Sequence, residues 1–136
     1  MKTLQVYKKI EEENIPVIDC NIGGIKGAII KSGDKYGIFI NHKELEDSDE
    51  EFMVLAHEWG HYASGTPHSF SSEKTFISQC EYRADRKSVL EFLPFDRIQN
   101  AIKSGCQTAY EFSEFLDLPE RFVVMAFKHY RDIGLI

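Results

Sequence analysis

The sequence lacks the features that mark disulfide-stabilised, exported or membrane-spanning proteins. Its three cysteines, Cys20, Cys80 and Cys106, are widely spaced and form no CxxC pair. An odd number of scattered cysteines argues against a disulfide framework and fits reduced thiols. No apolar run approaches the roughly 18 residues of a membrane-spanning helix, and the N-terminal segment has no apolar signal-peptide core. We therefore expect a cytoplasmic protein with no membrane association.

Positive charge is also scarce, with 16 Lys and Arg against 22 Asp and Glu and a formal net charge of −6. Such a chain offers no broad basic face, so direct binding to nucleic acid is not expected. The 136 residues are 43% hydrophobic and 28% charged, and they contain no internal repeat or flexible linker. These values predict a single globular domain, spanning residues 1–136, with one core.

The hydrophobic pattern predicts an α+β fold in which a small sheet packs against a helical bundle. An amphipathic helix is expected over residues 3–14. Two β-rich runs, at about 25–31 and 36–41, flank the turn signal Ser32-Gly33-Asp34, and a further strand is expected near 17–20. We expect about three strands, paired in an antiparallel sheet.

Helix signals dominate the remainder of the sequence. Ser48 followed three residues later by Glu51 is typical of a capping box, so a helix should begin near residue 49. It should end near Ser64, with Gly65 as its left-handed terminator. A second long helix is expected at about 78–93, and shorter ones should start near Asp96, after the capping box Thr108…Glu111, and near Pro119.

The C-terminal third has the outline of a helix-turn-helix motif. A recognition helix needs exposed polar side chains that reach base edges. The corresponding segment here is instead apolar and is typical of a core, with Phe122, Val123, Val124, Met125 and Phe127. We therefore expect these helices to pack within the domain.

The stretch AHEWGHY contains the motif H-E-x-x-H, with His57, Glu58 and His61. On a helix, the two histidines lie about 40° apart and one turn from each other, so both imidazoles can reach one ion. Glu58 points about 100° away from His57, where a general base can take a proton from a metal-bound water. This spacing predicts a zinc site with an open position for water, the alternative being two surface histidines on a helix.

The residues around the motif favour the metal site. An apolar stripe is expected to face the core and to leave the two histidines off the packing face; it consists of Phe52, Leu55, Ala56, Trp59 and Ala63. Gly60 in the middle of a helix costs about 1 kcal/mol relative to alanine. That cost suggests that another element packs closely against Gly60.

The motif supplies only two protein ligands, and its immediate downstream sequence does not supply the third. The three-histidine pattern of the metzincins needs glycine at position 64 and histidine at position 67, where this chain has Ser64 and Pro67. His68 is one residue off, and Pro67 breaks the helix before it. A ligand from a second helix is therefore expected.

The second long helix provides two acids, Glu81 and Asp85, on one face with the small residues Ala84 and Ser88. Small residues let two helices approach closely while the acids point at the site. We predict that Glu81 is the third metal ligand and that Asp85 accepts the N–H of a ligating histidine.

Three alternatives remain open at this stage. Glu81 could form a capping box with Ser78, or Asp85 could be the metal ligand in place of Glu81. Asp85 could also pair with a basic neighbour on its own helix: Arg83, Arg86 or Lys87.

In combination, the two segments resemble the ImmA/IrrE family of bacterial and phage metallopeptidases. AHEWGHY is followed by EYRADRKSVLEFLP, and the second segment of that family runs roughly E-x-x-A-[ND]-x-x-A-x-x-L-L-x-P. Ser88 stands where the family usually has alanine, and the resemblance extends from about residue 15 to 130. It implies zinc ligation by His57, His61 and Glu81, and catalysis by Glu58. The Glu-x-x-x-Asp spacing is also similar to that of gluzincins, where the aspartate orients a ligating histidine.

These observations predict a zinc-dependent endopeptidase, and the resemblance implies a substrate that is a helix-turn-helix repressor of a phage or mobile element. An extended substrate is expected along the strand Lys35–Asn41. A second oxyanion donor could come from Tyr62, His68, Tyr82 or His129. The alternative is a non-catalytic, metal-containing protein that sequesters a repressor or antitoxin, although a structural metal site does not need Glu58.

Overall fold

The computed structural model describes residues 2–21, 23–65 and 74–136, with the backbone alone for residues 74–77. These residues form an α+β fold, as predicted. In chain order the elements are α1 (Lys2–Glu12), β1 (Val17–Asp19), β2 (Gly27–Ser32), β3 (Lys35–Ile40), a short 3-10 helix (His42–Glu44), α2 (Ser48–Ser64), α3 (Lys74–Phe92), α4 (Phe95–Lys103), α5 (Ala109–Leu116) and α6 (Glu120–Asp132).

The sheet has three strands in the order β1-β3-β2. β2 and β3 pair antiparallel through the turn at Gly33, with Ile29 opposite Ile38. β1 pairs with β3 in parallel, with Val17 opposite Ile38, so the prediction of a wholly antiparallel sheet is wrong for this pair. The chain leaves β1 and places β2 two positions away in the sheet. The hairpin turn then brings β3 back between them, where it runs in the same direction as β1.

Because β3 is paired on both sides, it is the central strand. The expectation that a peptide adds along Lys35–Asn41 is therefore wrong for Ile38–Ile40, which already pairs with β1 on one side and β2 on the other. The edge strand nearest to α2 is β2. Gly27, at its start, lies so close that an added Cβ would be 2.4 Å from Val54 Cγ1.

Helix α2 begins at Ser48, one residue earlier than the sequence predicts. The N-cap is Asp47, whose side chain accepts a hydrogen bond from the Glu50 N–H at 2.9 Å. Asp47 and Ser48 both suit the N-cap position, and the predicted capping box of Ser48 and Glu51 is wrong because Asp47 is the N-cap. The helix ends as predicted, with Gly65 in the left-handed conformation at φ 66°.

Helix α3 begins at Lys74, four residues before the predicted start. Ser78 therefore lies inside the helix and is not its N-cap, which removes the capping alternative for Glu81. The predicted N-cap at Thr108 is confirmed, because its hydroxyl accepts from the Glu111 N–H at 3.1 Å, while the Glu111 carboxylate accepts from the Gln107 N–H and not from that of Thr108.

The core joins α2, α3 and α6 through aromatic side chains. Phe52 packs edge to face against Phe92 and Phe122, with ring centroids 5.6 and 5.1 Å apart. Trp59 packs against Phe92 in the same way at 5.4 Å. Such pairs are favoured by the aromatic quadrupole in addition to the apolar area that they bury. This cluster fixes the two helices that carry the predicted ligands.

Helix α6 contributes to the core as predicted, with Phe122, Val123 and Ala126 buried. Val124 departs from that prediction because 42% of its surface is exposed. No helix within the described ranges combines the length and apolar character needed to cross a membrane.

Candidate metal centre

Gly60 is the position at which α3 crosses α2. A Cβ placed on Gly60 would lie 2.1 Å from the carbonyl oxygen of Ala84. The close approach that the sequence suggested at Gly60 is therefore present, and its partner is the backbone of α3. Ala84 and Ser88 are both fully buried in this contact region, which accords with the small face predicted for α3.

This crossing brings three predicted ligands together. His57 Nε2 lies 3.2 Å from His61 Nε2. Glu81 spans the two rings, with Oε2 at 2.7 Å from His57 Nε2 and Oε1 at 3.0 Å from His61 Nε2. His57, His61 and Glu81 form a group that could hold a metal ion.

The distances among the His57, His61 and Glu81 ligand atoms are close to those expected around a zinc ion. A tetrahedral zinc with bonds of about 2.0–2.1 Å places its ligand atoms about 3.3 Å apart. The contact between the histidines matches that edge closely, and a small rotation of the Glu81 carboxylate would lengthen the two shorter contacts. Two neutral imidazoles and one carboxylate are also a donor set that zinc prefers.

His61 is more buried than the sequence predicted. Its residue surface is only 4% exposed, whereas the apolar stripe suggested that both histidines lie off the packing face. The difference arises because α3 lies over this part of α2 and covers His61 from the other side. His57 is half-buried and faces the cavity described below.

Asp85 lies beside His57, with its Oδ1 3.1 Å from His57 Nδ1. A proton on Nδ1 that is donated to Asp85 leaves Nε2 directed at Glu81 and His61. Within the described part of the chain, Asp85 forms no ion pair with Arg83, Arg86 or Lys87. Asp85 thus has the geometry expected of a residue that orients a ligating histidine, and its role remains a prediction.

The acids around His57 change its affinity for protons. Burial lowers the pKa of His57, but the hydrogen bond to Asp85 and the negative charges of Glu81, Glu58 and Asp85 outweigh burial and raise that pKa to about 9. The same negative field favours a bound cation.

Glu58 lies on the side of α2 that faces β2. Its Cγ would be 3.8 Å from a Cβ on Gly27, and Glu58 lines a cavity of about 400 Å³ together with His57 and Asp85. This places a carboxylate next to the ligand group without using it as a ligand, as the motif predicts.

The other predicted site residues are dispersed. The Tyr62 hydroxyl donates to Glu13 at 3.1 Å, and its ring packs against Tyr36. Tyr82 and the buried His129 line a smaller cavity of about 160 Å³ on the other side of Asp85. His68 lies outside the described residues. The role of an oxyanion donor for one of these four residues stays a prediction.

Sequence reasoning missed the residues that complete the larger cavity. Lys26 from the segment before β2, Glu50 from the start of α2, and Arg121 and Met125 from α6 all line it. Lys26, Arg121 and Met125 come from segments distant from the H-E-x-x-H motif, so no spacing in the sequence links them to it, whereas Glu50 lies two turns before His57 on the same face of α2.

Comparisons with known proteins add no identification. No model of a known protein family matches the chain, and neither the curated proteins nor the solved structures contain a significant match.

Proposed function

We propose that this chain is a zinc-dependent endopeptidase. The observation that carries the proposal is the convergence of His57, His61 and Glu81 within ligand distance, with Glu58 on the same helix facing an open cleft. A purely structural metal site does not require an acid next to its ligands or an adjoining cavity. The arrangement therefore favours catalysis over the non-catalytic alternative.

Zinc at this site would lower the pKa of a bound water from 15.7 to roughly 7 and would polarise a carbonyl group. His57, His61 and Glu81 would hold the ion and leave one position open. Asp85, through its bond to Nδ1, keeps His57 Nε2 turned toward the site. Glu58 is not one of these three proposed ligands.

Glu58 supplies the proton transfers. As general base it accepts a proton from the attacking water, and as general acid it delivers that proton to the nitrogen of the leaving amine. One carboxylate can perform both steps because the proton it gains in the first step is the one it gives up in the second. Glu58 lies beside Gly27 and lines the cleft in which a substrate would bind.

The substrate backbone would align with β2. This strand lies at the edge of the sheet beside α2, and an extended peptide can form main-chain hydrogen bonds with such an edge. A peptide held there would pass Glu58 and the metal ligands. This replaces the prediction for β3, and exchange protection of β2 amides on peptide binding would support it.

The resemblance of the two motif segments to the ImmA/IrrE family supports a transcriptional repressor as the natural substrate. The H-E-x-x-H segment and the Glu81–Asp85 segment occur in the same order as in that family, and the structure brings them together. A helix-turn-helix repressor is therefore the first protein substrate to test.

The catalytic proposal can be tested without knowing the natural substrate. The zinc-loaded protein is incubated with a random peptide library, and new termini are identified by mass spectrometry. Wild type should generate cleavage products, and Glu58→Gln should lower the rate by about 10²–10⁴-fold with zinc content unchanged. Glu46→Gln is a matched control, since Glu46 is exposed and lies outside the cleft.

Equal cleavage by wild type and Glu58→Gln would contradict the proposed mechanism. Absence of any cleavage by zinc-loaded wild type, both of the library and of repressor proteins, would favour the non-catalytic alternative.

A further inference from the structure

The cavity beside the metal ligands extends well beyond the reacting groups. It has a volume of about 400 Å³ and follows one face of α2 from Glu58 back to Glu50. Eight residues of helix correspond to about 12 Å, so the cavity is a channel that leads away from the ligands. It is large enough for a long side chain of a bound substrate.

The walls of this channel are mostly apolar. Met53 and Val54 form the α2 side, and Phe122 and Met125 from α6 form the opposite side. Methionine side chains adapt their shape and make favourable sulfur contacts with aromatic rings. The walls therefore suit a flat aromatic side chain.

The far end of the channel holds a buried carboxylate. Glu50 is only 9% exposed, and its Oε1 is buried without a hydrogen-bond donor from any described residue. Lys26 Nζ lies 3.2 Å from the same oxygen, which is an ion-pair distance, yet no aligned hydrogen bond results. A buried acceptor that lacks an aligned donor is costly, and a donor from a ligand would relieve that cost.

We infer that this channel is a specificity pocket that binds a substrate tyrosine next to the scissile bond, with the phenol donating to Glu50 Oε1. The inference rests on the proposed peptidase function and names its preferred substrate side chain. Tyrosine combines an apolar ring, which matches the walls, with one polar tip, which matches the end.

The charges of the channel separate tyrosine from other long side chains. Lysine or arginine would bring a second cation next to Lys26, and Arg121 adds another positive charge to the lining. Phenylalanine and leucine fill the apolar part but leave Glu50 Oε1 without a donor. A site that hydrogen-bonds a substrate hydroxyl discriminates against the analogue that lacks it.

The test uses peptides that differ only in the residues flanking the scissile bond, with tyrosine, phenylalanine, leucine or arginine in turn. Zinc-loaded wild type should cleave the best tyrosine peptide with kcat/KM about tenfold higher than its phenylalanine counterpart. Glu50→Leu should reduce this ratio to near one, and Glu50→Gln, which keeps a neutral acceptor, should give an intermediate ratio. Glu46→Leu makes the same substitution at an exposed position outside the channel and should keep the wild-type ratio.

A second measurement separates this inference from the proposed function. The affinities of the same peptides are measured by fluorescence anisotropy with zinc-loaded Glu58→Gln, which need not cleave them. Tighter binding of the tyrosine peptide, without cleavage by wild type, would support the pocket and overturn the peptidase proposal. Equal binding or equal cleavage of the tyrosine and phenylalanine peptides, or a preference for arginine, would overturn the pocket assignment.

Discussion

Replacing Gly60 by alanine tests the close helix contact beside the candidate metal centre. In an isolated helix, replacing glycine by alanine stabilises the helix by about 1 kcal/mol. Here the new Cβ would lie 2.1 Å from the carbonyl oxygen of Ala84, whereas real Cβ atoms essentially never come closer than 3.0 Å. The helices must separate by at least the difference, 3.0 − 2.1 = 0.9 Å. Overpacking of this kind costs about 1–3 kcal/mol, so the net effect should be destabilising.

The same displacement acts on the ligands, because Ala84 lies on α3 one turn from Glu81 and Gly60 is adjacent to His61. Functional metal distances are held to within about 0.2 Å, and the required shift is several times larger. We expect zinc affinity to fall at least about tenfold, comparable with the loss of a residue that orients a ligand. The thermal midpoint of the metal-free protein should also fall.

Zinc affinity is measured by competition with a chromophoric chelator, and stability by thermal unfolding followed with circular dichroism. Gly37→Ala is the matched control, because a Cβ there meets its nearest atom, in the Phe39 ring, at an ordinary 3.8 Å. A Gly60→Ala protein that melts higher than wild type and binds zinc equally well would refute the reasoning.

Three further predictions concern the ligand set and its surroundings. Asp85→Asn should weaken zinc binding by about 10–100-fold, and unchanged affinity in the chelator assay would show that Asp85 does not orient His57. Metal removal by dialysis against a chelator should leave the far-UV circular dichroism intact, since the ligands already contact one another; unfolding would contradict this. Hydrogen bonds to Glu51 and Asp19 raise the pKa of His42 above its usual 6.5. The contribution of protonated His42 to the free energy of unfolding should therefore be complete below about pH 6.5 and should be lost as pH rises through the folded-state pKa. Urea unfolding of the zinc-loaded protein should show this loss, and a His42→Gln variant with the same pH dependence as wild type would exclude His42 as its source.

The grouping of His57, His61 and Glu81 was predictable because it depends on short spacings within helices. His57 and His61 share a helix face through their four-residue separation, and the small residues around Glu81 indicated which face of α3 would approach. Gly60 indicated where the helices meet. These signals lie within single helices, where the 3.6-residue period relates sequence to direction.

Features that depend on the pairing of distant segments were not predictable. Nothing in the residues of β3 indicates that it is central, because β1 could have paired on either edge of the hairpin. The burial of His61 depends on α3 covering α2, which the pattern within α2 does not encode. The channel to Glu50 is formed by α2, α6 and the segment before β2, and no sequence spacing relates the residues of these three segments to one another.

The edge position of β2 also affects how the protein behaves in concentrated solution. An unpaired strand edge is a template for another strand of any origin, including the same strand of a second copy. The strand is only six residues long, and exposed Lys31 lies beside exposed Ile30. Short length and a charged residue are two of the ways in which proteins discourage edge-to-edge aggregation. Replacing Lys31 by an apolar residue would therefore be expected to promote self-association at the face proposed to receive the substrate.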